Sequence, residues 1–384
     1  MDNFVYHNPT RIVFGKGSIG QLADLVPAGT KVLLTYGGGS IKRNGVYDQV
    51  AKALSGRTVL EFSGIQPNPL YETLMEAVKM VKREGIGLLL AVGGGSVLDG
   101  TKFIAAAARH EGGDPWEILS KNAPVTSAVP VATVLTLPAT GSESNGFAVI
   151  SRKSTQEKLA FGTEHCYPRF AILDPATTFS LPEKQVRNGI VDAFIHVMEQ
   201  FCTYPQNATL QDRQAEAVLL TLIERGPRAL KDSTDYNARA DCMWAATQAL
   251  NGLIGVGVVQ DWATHGIGHE LTAFYGLDHA ETLSIVLPSL LRHRKERKAA
   301  KLAQFARRVW GIADANESAA IEKGVTAMEQ FFHSLGMPTR LADYGISPAD
   351  AAQRVSERFA QRSTKLGENG EIGPADAGKI LLNA

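Results

Sequence analysis

Five side chains able to bind a metal fall at helical spacing in two stretches. Asp192 and His196 lie four residues apart in the segment Gly189 to His196, so a helix puts both on one face. His265 and His269 repeat that interval, and His279 follows beyond Gly276. The second stretch is set among Ala, Ile, Leu and Phe, where an imidazole needs a partner. A carboxylate with several neutral imidazoles suits zinc or ferrous iron and suits magnesium or calcium poorly. Such an ion acts as a Lewis acid on a carbonyl oxygen. Spacing alone does not choose the three or four ligands, and satisfied core histidines are the alternative. The His-Glu-x-x-His pattern of zinc peptidases is absent around His269-Glu270, which argues against that chemistry.

Two glycine-rich joints form the second constellation. Gly37-Gly38-Gly39-Ser40 follows the strand-like run Lys31–Tyr36, and Gly93-Gly94-Gly95-Ser96 follows the apolar run Ile86–Val92. Glycine lets backbone approach a pyrophosphate, and a following helix offers free amides and its positive end. Neither joint is the Gly-x-Gly-x-x-Gly fingerprint, so tight turns remain the alternative. Asp99 is placed either to cap the helix or to accept from a ribose hydroxyl. Thr136 and Thr140, in a third segment rich in hydroxyls, can bond phosphate or ribose. No acid follows the first joint; Ser40, Lys42 and Arg43 do. Sites for the unphosphorylated cofactor carry a carboxylate near the ribose, so this joint favours a 2′-phosphate.

These groups need a scaffold. Strand-like runs at 11–14, 31–36, 86–92 and 129–135 alternate with a helical pattern at 70–83. From about residue 183 the periodicity is helical only. The expected architecture is an α/β Rossmann-like domain over residues 1–180, followed by an all-helical domain over residues 181–384 that holds metal and substrate. Lys plus Arg equals Asp plus Glu at 39 each, which gives no field for gathering nucleic acid. The basic run Leu291–Lys298 reads as a solvated helix face. Three scattered cysteines, Cys166, Cys202 and Cys242, contain no Cys-x-x-Cys pair and fit a reducing compartment. With no signal-like start and no long apolar span, a cytoplasmic protein with no membrane contact is expected.

In order along roughly residues 5 to 380, Pro67-Asn68-Pro69, Gly93–Asp99, Leu137–Glu143, the Asp192…His196 helix and Gly268-His269-Glu270…His279 resemble the iron-containing, or group III, alcohol dehydrogenases. The nearest likeness is to bacterial NADPH-dependent aldehyde reductases and butanol dehydrogenases. The resemblance implies a dehydroquinate synthase-like architecture, with Asp192, His196, His265 and His279 as metal ligands. It implies that His269 lies beside substrate and nicotinamide. Gly94, Gly95 and Ser96 match the pyrophosphate loop, and Asn68, Asp99, Thr136, Thr140 and Lys158 match cofactor contacts. Gly39 stands where members preferring the unphosphorylated cofactor carry an Asp, which makes Ser40 and Lys42 the first candidates for reading the 2′-phosphate, with Gly37 and Gly38 as cofactor-binding residues of the same joint. The expectation is a homodimer that reduces small aldehydes to alcohols with NADPH and one divalent ion, zinc ahead of iron. Trp244, Leu253, Ile254 and Trp262 are candidate pocket walls. A polyol dehydrogenase of the same architecture and a non-catalytic nucleotide- or metal-binding protein are the rival readings.

Overall fold

The computed structural model describes residues 1–384. It contains eight strands: β1 (Arg11–Phe14), β2 (Val32–Thr35), β3 (Val59–Phe62), β4 (Leu88–Gly94), β5 (Val131–Leu137), β6 (Phe147–Arg152), β7 (Glu157–Gly162) and β8 (Phe170–Leu173). The helices preceding residue 180 are α1 (Leu22–Leu25), α2 (Ser40–Arg43), α3 (Val46–Ala53), α4 (Tyr71–Glu84), α5 (Gly95–Ala107) and α6 (Glu117–Ser120). After it come α7 (Glu183–Phe201), α8 (Thr209–Lys231), α9 (Tyr236–Ala249), α10 (Ala263–Tyr275), α11 (His279–His293), α12 (Ala299–Val309), α13 (Glu317–Ser334), α14 (Pro348–Arg362) and α15 (Pro374–Leu382). The chain is thus an N-terminal Rossmann-like α/β region followed by a helical one.

Two compact units divide it. One contains His7–Pro182 and Asp232–Thr247; the other contains Met1–Tyr6, Glu183–Lys231 and Gln248–Ala384. Most of α9 therefore belongs with the α/β unit, where Arg239 donates to the carbonyl of Thr178 at 3.1 Å and Thr247 donates to Glu143 at 2.6 Å.

In the α/β unit six parallel strands run in the order β1-β8-β5-β4-β2-β3. β4 reads Leu-Leu-Leu-Ala-Val-Gly-Gly and is buried almost throughout, as a central strand covered on both faces must be. On α4, Leu74, Ala77, Val78 and Val81 are buried at helical spacing against one side of that sheet. β3, β8 and the antiparallel hairpin β6–β7 lie outside the strand runs read from sequence. β3 and β8 have four residues each. The chain passes from β3 back across β2 to β4, so strand order reverses between β2 and β4. That reversal is where open α/β sheets bind ligands, outside the carboxyl ends of the strands.

The helical unit packs around α11, whose residues 280–291 are all buried. α7, α10, α13 and α15 surround it. No helix is long and apolar enough to cross a membrane. The basic run is only partly the expected solvated face: Lys295, Glu296 and Arg297 are exposed, but its ends are engaged. Arg292 pairs with Glu322 and Glu329, Arg294 pairs with Glu371, and Lys298 is fully buried. Lys298 donates to Glu368 at 2.8 Å and to the carbonyl of Cys202 at 2.8 Å, and it pairs with Asp261 at 2.9 Å. Two buried carboxylates require a cation, and a run rich in Lys and Arg supplies it one residue before α12.

Candidate metal centre and cofactor loops

α7 brings Asp192 and His196 inward together, both 3% exposed. α10 contributes His265 from its first turn. His279 is the first residue of α11, fixed there by a capping box between Asp278 and Glu281. One donor atom from each of Asp192, His196, His265 and His279 lies within 4.8 Å of the other three. Asp192 Oδ1 is 3.7 Å from Nε2 of both His196 and His279. A tetrahedral ion with ligands about 2.1 Å away has edges of about 3.4 Å, so these spacings suit a single small dication. Asp192 Oδ1 is also buried with no hydrogen-bond donor. An oxygen in that state needs a cation or a donor. The donor set thus fits a divalent metal.

The neighbours of this cluster divide into those that hold it and those that line it. The His196 and His265 rings stack at 4.7 Å between centroids, and Trp262 meets His265 edge-on at 5.3 Å. His269, one turn beyond His265, stands apart from the four-atom cluster. Its ring is 5.4 Å from that of His279 and 6.1 Å from that of His265. Glu270 is taken by Arg358 and Arg362. Of the candidate wall residues, Trp262 lies beside the cluster, Ile254 is buried in the helical unit, and Trp244 packs on Phe14 in the α/β unit.

One residue that sequence reading passed over is Glu199. It lies seven residues after Asp192 and three after His196, hence on the same face of α7. Its Oε2 contacts His265 Nδ1, and its Oε1 accepts from the backbone N–H of Thr264 at 2.7 Å. Burial pushes the Glu199 carboxyl up, to about 8; a dication on His265 would act in the opposite sense.

In the α/β unit, both glycine joints end neighbouring strands at the order reversal, since β2 pairs with β4. The helices after them differ. After Gly39, α2 lasts one turn and the chain breaks at Gly45, with φ of 79°. After Gly94, α5 runs thirteen residues with no side-chain cap and no acid in its first turn. That uncapped amide end suits an anion. The glycines also serve packing. A Cβ on Gly94 would lie 2.8 Å from Leu137, and one on Gly95 would lie 2.7 Å from Thr140. Thr140 is thereby seated against the loop. A pyrophosphate would meet bare backbone there, so the loop fits a dinucleotide.

The remaining candidates take defined places. Lys158 on β7 donates to Asn68 at 2.8 Å, and Asn68 has φ of 53° between two prolines. Thr136 is buried near the end of β5. Asp99 is buried and accepts from Ser142 at 2.6 Å and from the Val149 amide at 3.0 Å. Those bonds make it a brace between α5 and segment 142–149 rather than a helix cap. Lys102, unnoticed in the sequence, completes the brace by donating to Ser142, Asn145 and the carbonyl of Phe147. Burial lowers its pKa to about 8.

One expectation at the first joint needs correcting. An acid does lie near Lys42, namely Glu61 on β3. Lys42 pairs with it at 2.9 Å, and Tyr36 and Tyr47 donate to the same carboxylate. Burial opposes ionisation of Glu61, but the hydrogen bonds from Tyr47, Lys42 and Tyr36 hold it low, at about 2. Sequence distance hid Glu61; parallel pairing of β2 and β3 sets it opposite Leu34.

Comparison with known proteins agrees with this architecture. Residues 9–175 match the family model for iron-containing alcohol dehydrogenase, and residues 187–369 match the Fe-containing alcohol dehydrogenase C-terminal model. The NADPH-dependent aldehyde reductase YqhD of Escherichia coli K12 is 56% identical over 374 residues, covering 97% of each chain. A crystal structure of E. coli YqhD superposes with a TM-score of 0.97 at 55% identity, covering 99% of this chain and 98% of that one. The probable NADH-dependent butanol dehydrogenase 1 of Bacillus subtilis is 44% identical, covering 90% of this chain and 91% of its own. With both halves matched and relatives of this identity spanning nearly its whole length, the chain belongs to the iron-containing alcohol dehydrogenase family.

Proposed function

We propose that this protein reduces small aldehydes to primary alcohols, reversibly, using NADPH and one divalent metal ion. The observation that carries the reading is the buried four-residue cluster Asp192, His196, His265 and His279, with every donor atom within 4.8 Å of the others. A relative with 56% identity named as an NADPH-dependent aldehyde reductase supports the reaction type. When bound, the cation would polarise a carbonyl oxygen and the reduced nicotinamide would supply hydride.

The residues have separate tasks in this reading. Asp192 carries the one negative charge of the ligand set, so three neutral imidazoles leave a dication with net positive charge. Zinc is proposed ahead of iron, because three imidazoles and one carboxylate suit it and an ion with no geometric demand of its own can expand to take the substrate oxygen as a fifth ligand. His269 is proposed to hand a proton to the developing alcohol oxygen. Gly94, Gly95, Ser96 and Thr140 are proposed to hold the pyrophosphate, with Asp99 acting through its brace. Asn68, Thr136 and Lys158 are proposed to contact the rest of the cofactor. Gly37, Gly38, Gly39, Ser40 and Lys42 are proposed to read the 2′-phosphate. That last point rests on the residues alone, since relatives are named for NADPH or NADP in some cases and for NADH in others. A homodimer is proposed with it, supported by the exposed Phe14–Trp244 pair at the β1 edge of the sheet. The three buried cysteines, none of them in a disulfide, support a cytoplasmic setting.

The test is a panel of short aldehydes and polyols assayed with both cofactors, before and after chelator treatment. NADPH oxidation with aldehydes should fall to background on metal removal and return with zinc. Turnover confined to polyols, or unaffected by chelation, would reject the reading. A second expectation concerns His269. His269→Ala should slow turnover about 100-fold, the lower end for general acid–base catalysis, while metal content stays at wild-type stoichiometry. Loss of metal in that variant would make His269 a ligand.

A further inference from the structure

We propose that Glu199 is the positioning residue of the metal centre, fixing His265 in the orientation that offers Nε2 to the ion. This rests on the ligand set proposed above. Three features carry it. First, Glu199 Oε2 contacts His265 Nδ1. With that nitrogen committed, Nε2 is the one left for a metal. A ligand imidazole held at its other nitrogen by a carboxylate keeps one tautomer and one ring angle.

Second, the same carboxylate holds the backbone that carries the ligand. Oε1 accepts from the amide of Thr264 at 2.7 Å and from that of His265 at 3.4 Å. These are first-turn amides of α10, which otherwise lack a partner within the helix. One side chain on α7 therefore fixes both the ring of His265 and the start of its helix. α7 also carries Asp192 and His196, so three of the four ligands are registered from one helix face.

Third, Glu199 is itself held. Its carbonyl accepts from the Asp261 amide at 2.8 Å, and Asp261 Oδ1 accepts from Ala263 at 2.8 Å. Asp261 is paired with the buried Lys298. The arrangement needs an acceptor on each side of the Glu199 head group. A carboxylate has two such sides; a primary amide has one, its other side being a donor. Glutamine should therefore keep part of the function and alanine none.

The test is cobalt(II) binding by chelator-treated protein, read by competition with a chromophoric chelator and by the visible d–d spectrum. Wild type, Glu199→Gln, Glu199→Ala and His265→Ala are compared, with circular dichroism as the folding check. Wild type should bind one cobalt and His265→Ala none. Glu199→Ala should bind roughly 100-fold more weakly, and Glu199→Gln roughly 10-fold, the range seen for outer-shell partners of metal ligands. The d–d bands of both should shift. Should Glu199→Ala fail to fold, the affinity and spectrum of Glu199→Gln decide. Wild-type affinity and bands in the folded Glu199 variants would overturn the positioning role and leave the metal site standing. Failure of wild type to bind cobalt would overturn both.

Discussion

His265→Ala is expected to abolish stoichiometric metal binding and lower turnover by at least about 1,000-fold. The four donor atoms fit within 4.8 Å, and removing one leaves Asp192, His196 and His279. Three ligands can still hold zinc in some catalytic sites, so this substitution is informative only because of where His265 sits. It is the ligand at the start of α10 and the one tied to Glu199. Its loss leaves a buried carboxylate facing a cavity, which costs stability of about 1–3 kcal/mol. The metal effect must be separated from that cost, by a melting curve and by metal analysis at a temperature where the variant is folded. Lewis-acid stabilisation of several kcal/mol corresponds to a loss of at least about 1,000-fold. A folded variant retaining metal and rate would reject the ligand assignment.

The second large effect is expected at Gly39. Gly39→Asp should weaken NADPH binding about 100-fold and weaken NADH binding by less than about 3-fold, a discrimination of at least about 2 kcal/mol. A Cβ at Gly39 would meet nothing within 4 Å, so the new carboxylate has room. The backbone there has φ of 84°, a left-handed conformation that costs a non-glycine residue about 1–2 kcal/mol. Gly39→Ala carries that strain without the charge, and Asp is among the residues that tolerate the conformation best. Charge is the cause if Ala leaves the two cofactors equally affected and Asp separates them. The pairing of Lys42 with Glu61 makes the experiment sharper, because a native cation is already partly neutralised. Dissociation constants are read from nicotinamide fluorescence. Equal weakening of both cofactors by Gly39→Asp would reject the reading of the 2′-phosphate.

What could be read in advance depended on how local the physics was. The helical interval from Asp192 to His196 and the apolar run of β4 are nearest-neighbour patterns, and both carried through to the structure. Glu199 was equally available, at the next helical repeat from His196. A glutamate near a helix end, though, has many surface explanations. Glu61 and Lys102 were not available. Glu61 reaches Lys42 only because β3 pairs beside β2, and Lys102 is matched to Ser142 and Asn145 across about 40 residues of chain. Lys298, at the end of the basic run, misled for the same reason. Composition suggested solvent, while the carboxylates that bury Lys298 come from positions 261 and 368.

The division of the chain into units bears on how the protein is made. The α/β unit takes its last segment, Asp232–Thr247, after the chain has already laid down α7 and α8 in the other unit. That segment supplies Thr247 to the buried Glu143 and Arg239 to the Thr178 carbonyl. During synthesis the α/β unit therefore lacks these two contacts until nearly two thirds of the polypeptide has been made. Glu143 waits without its hydroxyl partner over that interval. A fragment ending at residue 182 would lack both contacts, so folding one domain at a time, the usual route for two-domain chains, would complete the α/β unit only after residue 247.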